Sequence, residues 1–178
     1  GARADRWVIR NGEVQTFALD WTPQTDTSYD SRAGWTGSFR GGAVIHAVHA
    51  IDLRASAYSG MRMPTLNELY RSFAVFPVTT LANPALVNEG LRGVEGGIDW
   101  RPANGIALHL TGFDNKLTNA IANITLGNAN TQQRQNVPGI HAQGIEAGAE
   151  ARLGTLSLGG SLAWTVAKME APGQAYDG

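Results

Sequence analysis

Met61-Arg62-Met63-Pro64-Thr65-Leu66-Asn67-Glu68-Leu69-Tyr70-Arg71-Ser72-Phe73 stands between two runs of period-two alternation, 51–61 and 91–101. Pro64 stops the incoming strand because it cannot donate a ladder hydrogen bond. Thr65 lies three residues before Glu68, the spacing of a capping box, in which each side chain satisfies the other residue's free backbone N–H. Leu66, Leu69, Tyr70 and Phe73 fall on one face of the short helix that comes next. The stretch therefore reads as a strand end, a helical turn at its tip, and a long connection through 75–90 to the next strand.

Outward from this corner the alternation continues. Residues 51–61 set Ile51, Leu53, Ala55 and Ala57 against Asp52, Arg54, Ser56 and Tyr58. Residues 91–101 set Val94, Ile98 and Trp100 against Glu95, Asp99 and Arg101. The same pattern predicts strands at 5–10, 13–21, 32–40, 105–114, 145–153 and 156–166, eight in all. Asn11-Gly12 predicts a two-residue hairpin, since a type I′ turn needs positive φ at both positions. Residues 102–105 and 153–155 read as tight turns, 41–50 as a less tight one, and 22–30, 62–90 and 115–139 as long loops.

Composition narrows the class. The chain has 178 residues, enough for one domain over 1–178. Charged residues are 16% and glycine is 22 of 178, against about 25% and ~7% in soluble domains. Mean hydropathy is -0.18, and no apolar run approaches the ~18 residues of a spanning helix. Apolar side chains on alternate positions suit transmembrane β-strands instead. A soluble β-sandwich also alternates, but its water-facing side carries more Lys and Glu, and this chain has only Lys116 and Lys168. Trp7, Trp21, Trp35, Trp100 and Trp164 sit mostly near predicted strand ends, as an interfacial girdle requires. The net charge of -1 gives no reason to expect nucleic acid as a partner. With no cysteine there is neither a disulfide framework nor a thiolate metal site. The fold class expected is all-β: an antiparallel up-and-down transmembrane β-barrel, or a large part of one. A small closed eight-stranded barrel with a structural or adhesive role is the alternative.

The corner and the segments after it resemble a known family. Arg62 to Tyr70 is similar to the barrel signature of TonB-dependent outer-membrane receptors, with Met61 where Phe is usual. Asn83-Pro84-Ala85-Leu86, Glu89 and Glu95-Gly96-Gly97 come next in the family's order, with Asn88 where a Pro often stands. Gly105 to Phe113, Ile121, Asn136 and Gly144-Ile145-Glu146 match the later strand–loop–strand series. The resemblance covers about residues 30–170. It implies eight strands of a larger plugged barrel of roughly 22 strands, with the plug and terminal strands outside this piece and Gly178 a truncation point. It also implies localisation in a Gram-negative outer membrane, energised uptake of a scarce ligand through TonB, and no bond made or broken. Outer-membrane lipid, TonB and a ferric siderophore are the partners implied, and no cofactor is.

Only loops could touch the ligand. Arg62, Tyr70, Arg71, Phe73 and Phe76 lie in the longest, and Asn128, Asn130, Gln132, Gln133 and Arg134 in the next. Aromatic and Arg groups suit a catecholate or other anionic chelate. The plainer role for Leu69, Tyr70 and Phe73 is to pack the helix onto the rim. Arg54, Glu95, Arg101, Glu146 and Glu150 are expected to face the lumen. His46 and His49 have no third ligand nearby in sequence, so a polar turn is expected there rather than a metal pair. No His lies between 61–64 and 83–86, which speaks against haem. No Gly-x-Ser-x-Gly elbow marks a hydrolase.

Overall fold

A computed structural model describes residues 1–127 and 129–170. They form one nine-stranded sheet and a separate two-stranded hairpin. The wall of the sheet is β1 (Ala2–Ile9), β4 (Arg32–Val48), β5 (Ile51–Arg62), β8 (Glu89–Ala103), β9 (Ile106–Thr125), β10 (Thr131–Leu153) and β11 (Leu156–Glu170), each antiparallel to its neighbour. β2 (Gly12–Phe17) pairs with β3 (Pro23–Tyr29) as the hairpin. β6 (Phe73–Val75) pairs with β7 (Val78–Leu81), and β7 joins the start of β10 in parallel. α1 (Leu66–Tyr70) is the one helix among the described residues. The wall is an open sheet: β1 and β11 each pair on one side only among the described residues.

Connections differ sharply at the two ends. Residues 49–50, 104–105 and 154–155 close three tight turns at one end. At the other end stand 10–31, carrying β2 and β3; 63–88, carrying α1, β6 and β7; and 126–130. Short turns at one end and long excursions at the other are the layout of outer-membrane barrels.

Strand register shows why the alternation matters. Ile45, Leu53, Ile98, Leu110, Ala147 and Leu162 are matched across six adjacent strands and form one row on one face. A neighbouring row on the opposite face runs His46, Asp52, Asp99 and His109. The apolar face is exposed, with Ile45 62%, Leu162 71% and Trp164 61% accessible. Such a face is stable only against a non-aqueous neighbour. From Trp100 to Val94 it runs six residues along β8, or ~20 Å at ~3.4 Å per residue, close to the ~25 Å apolar band of membrane barrels.

The opposite face is an ion-pair network. Arg101 reaches Asp52 at 2.8 Å, His46 reaches Asp52 at 2.6 Å, and His109 reaches Asp99 at 2.7 Å. Arg54 Nε stands 2.7 Å from Asp99 in a pair not aligned as a hydrogen bond, and its NH2 donates to Thr111 at 3.0 Å. Glu95 accepts from Ser56 at 2.8 Å. Glu146 and Glu150 share this face by register. The five charged residues expected to face the lumen thus share one face of the wall. His46 is held by Asp52, and His49 lies in the two-residue turn.

Several expectations are corrected. Asn11-Gly12 is not a hairpin turn: β1 pairs with β4, and β2 pairs with β3. Asn11 has φ 53 but Gly12 is not at positive φ, so the type I′ requirement fails. Residues 41–48 belong to β4, and much of 115–139 belongs to β9 and β10. Trp35, Trp100 and Trp164 share the apolar face, Trp35 and Trp100 near strand ends but Trp164 in the middle of β11. Trp7 packs instead against a buried cluster, and Trp21 lies in the β2–β3 turn, 6.4 Å from the Phe17 ring.

Candidate functional site

The long-loop end is built around the corner of 61–73. Thr65 Oγ1 accepts from the Glu68 backbone N–H at 3.2 Å, and Glu68 Oε2 accepts from the Thr65 N–H at 2.7 Å, so the capping box forms. Arg62, at the end of β5, donates from NH1 and NH2 to the two Glu68 oxygens at 2.9 and 3.2 Å. Its Nε donates to Glu89 at the start of β8. Glu89 is buried, 6% exposed, and also accepts from the Ile121 backbone N–H at 2.6 Å. One guanidinium thus clamps the helix to both strands that flank it. Burial alone would raise the Glu68 carboxyl, but hydrogen bonds from Arg62 and Thr65 outweigh it and hold it below its usual range.

Beneath the clamp lies the small core. Leu69 and Leu86 are fully buried against Ile9, with Trp7, Tyr70 and Ile121 around them. The 83–86 turn docks on the helix through Asn83 N–H to the Glu68 carbonyl at 3.0 Å, and Asn83 Oδ1 accepts from Ala85 N–H at 3.0 Å. Arg32 donates to the Leu86 carbonyl at 2.8 Å. Asn136 accepts from Val87 N–H at 2.9 Å and donates to the Val87 and Asn119 carbonyls. Tyr70 stacks on Tyr29 with ring centroids 4.7 Å apart, and a Cβ at Gly12 would meet the Tyr70 ring at 2.9 Å. The 61–70, 83–86 and Glu89 segments are therefore parts of one buttress, which also ties the β2–β3 hairpin down. Asn136, already in the series that carries the resemblance, and Arg32, which the sequence did not single out, are structural partners in this buttress.

The six candidate ligand residues separate. Arg62 is occupied by its two carboxylates, and Tyr70 is half-buried in the buttress. Arg134 donates to the Asn67 and Arg71 carbonyls at 2.8 and 3.2 Å, closing the helix C-terminus, and lies 5.0 Å from the Phe73 ring centre. Leu69 packs the helix as the plainer role requires, whereas Phe73 is 42% exposed. Phe76, at the β6–β7 turn, is 97% exposed. The Arg71 side chain is exposed and has no hydrogen bond or ion pair among the described residues. Gln132 and Gln133 tie β10 to the β7 segment at 2.8 and 3.3 Å. Asn130 accepts from Thr79 N–H at 2.8 Å. Asn128 lies outside the described residues.

With this geometry in place, comparison decides the family. A model of the TonB dependent receptor-like β-barrel matches residues 1–178. The chain belongs to that family.

Solved structures of two receptors and a transporter share its fold. The Serratia marcescens hemophore receptor HasR, solved with its hemophore HasA and heme, superposes with a TM-score of 0.70 at 15% identity, over 94% of this chain and 29% of that one. The copper transporter OprC gives 0.73 at 17% identity, over 96% and 26%. The siderophore receptor PirA from Pseudomonas aeruginosa gives 0.62 at 19% identity, over 82% and 30%. This TonB-dependent receptor chain thus spans under a third of each of these proteins. No curated protein matches its sequence.

Proposed function

We propose that this chain is barrel wall and extracellular rim of an outer-membrane receptor that takes up a scarce ligand, in our reading a ferric siderophore, with energy from TonB. The family match over 1–178 supports the receptor reading. The observation that carries the ligand reading is the β6–β7 finger, where Arg71, Phe73 and Phe76 stand exposed with Arg134 behind Phe73. Rings and guanidinium groups together suit a catecholate or other anionic chelate. Arg62 and Tyr70 act on the ligand only by holding the finger's base. The receptor makes and breaks no bond in its cargo. TonB acts through parts of the receptor beyond this chain, and the exposed apolar face lies against outer-membrane lipid of a Gram-negative cell.

The test is ligand-dependent growth of a strain lacking the intact gene, across ferric siderophores, haem, copper, cobalamin and glycans. Loss of growth on a ferric siderophore, restored by the full-length gene, is expected. A full-length Arg71→Ala, Phe76→Ala variant should restore it weakly while reaching the membrane in normal amount. Normal growth on every iron chelate, with loss on another ligand, would overturn the siderophore reading.

A further inference from the structure

Four cationic or titratable side chains meet in one line across the wall. Arg92 of β8 is matched with Lys116 of β9, Lys116 with His141 of β10, and His141 with Lys168 of β11. All four lie on the apolar face, because Val94 and Ile98 on β8, Leu110 on β9, Ile145 on β10 and Trp164 on β11 share their parity. They stand at its long-loop edge. At the short-turn edge the same face carries Ile51, Trp100, Leu108, Ala151 and Leu158 and, among the described residues, no charge. Lys116 and Lys168 are also the chain's only lysines. A device that merely kept a barrel at its depth would place cations at both edges.

The row is costly without a partner. Like charges directly opposite each other on neighbouring strands are unfavourable. Two neighbours relieve it in part: Glu170 reaches Lys116 at 2.7 Å, and Asp114 reaches His141 at 2.7 Å. The side chains of Arg92 and Lys168 are exposed and have no hydrogen bond or ion pair among the described residues. Strands ~4.8 Å apart spread the row over ~14 Å, wide enough to meet more than one phosphate.

We infer that this row binds the phosphate groups of lipid headgroups in the leaflet on the long-loop side. The inference rests on the membrane-barrel reading and is independent of the ligand carried. Guanidinium and ammonium groups donate to phosphate oxygens, and the apolar face beneath the row receives the acyl chains. A lipid that satisfies both at once fits this edge better than a free anion does.

The test uses the full-length receptor, stripped of lipid in detergent and offered bisphosphorylated lipid A, dephosphorylated lipid A, phosphatidylcholine or inorganic phosphate, with bound lipid counted by native mass spectrometry. Selective retention of the bisphosphorylated lipid is expected. The Arg92→Gln, Lys116→Gln, Lys168→Gln variant should bind it roughly a hundredfold more weakly, about fivefold per cation. Arg152→Gln, which removes a cation from the other face, should not weaken it, and Lys116→Arg with Lys168→Arg should retain it. Each variant's heat-modifiable mobility reports that the barrel has formed. Equal retention by the Gln variant, equal binding of the dephosphorylated lipid, or displacement by inorganic phosphate at matched concentration would overturn the inference. None of these outcomes bears on ligand-dependent growth.

Discussion

Glu89 loses its cationic partner if Arg62 is removed, and its carboxylate is too buried for water to replace the guanidinium. Arg62→Ala should therefore destabilise the rim of the full-length receptor by about 1–3 kcal/mol, the range for a buried polar group left unsatisfied. Thermal unfolding checks this, and an unchanged midpoint would mean that the clamp carries no stability. Glu68 titrates lower in the folded protein than its usual value of 4.5. Its contribution is thus fully present above that value and fades as pH falls through the lower, folded value. Protection of the Glu68 and Leu69 amides against hydrogen exchange, corrected for the intrinsic rate, should fall as pH drops below 4.5. Glu68→Gln should abolish that pH dependence.

At the scale of the element, the strand faces and the capping box were legible, and the pairing partners were not. Alternation at 51–61, 91–101, 105–114, 145–153 and 156–166 reported correctly because two different solvents act on the two faces there. Beyond the apolar band that constraint ends, so the outer parts of β9 and β10 looked like an Asn- and Gln-rich loop while forming a regular ladder. Asn11-Gly12 misled because β1 finds its partner in β4, across a hairpin excursion, and local turn chemistry cannot report a pairing that distant. At the site, Thr65 and Glu68 were readable from spacing, whereas the Arg62–Glu89 and Arg134–Phe73 contacts join segments far apart in sequence. Tight turns make their own prediction. Gly105 has φ +81, and a Cβ there would lie 2.5 Å from the Arg152 carbonyl oxygen. Gly105→Ala should cost at least the ~1–2 kcal/mol of a left-handed non-glycine residue, seen as a lower unfolding temperature, while Gly154→Ala meets the backbone penalty with no atom within 4 Å.

For the whole molecule, one inversion organises the wall: most of its large apolar side chains point away from the polar network, and Leu69 and Leu86 are buried against Ile9 at α1. The buttress closes the long-loop end, and the open edges at β1 and β11 are where the wall would continue in a complete barrel. The most direct measurement is the environment of nitroxide labels placed singly on the full-length receptor in a lipid bilayer, at Leu110 and Leu162 on one face and Thr111 and Ser161 on the other. Labels at 110 and 162 should be relaxed by oxygen and shielded from a water-soluble nickel complex, with the opposite result at 111 and 161. Equal exposure of both sets to the nickel complex, or the reverse assignment, would contradict the account.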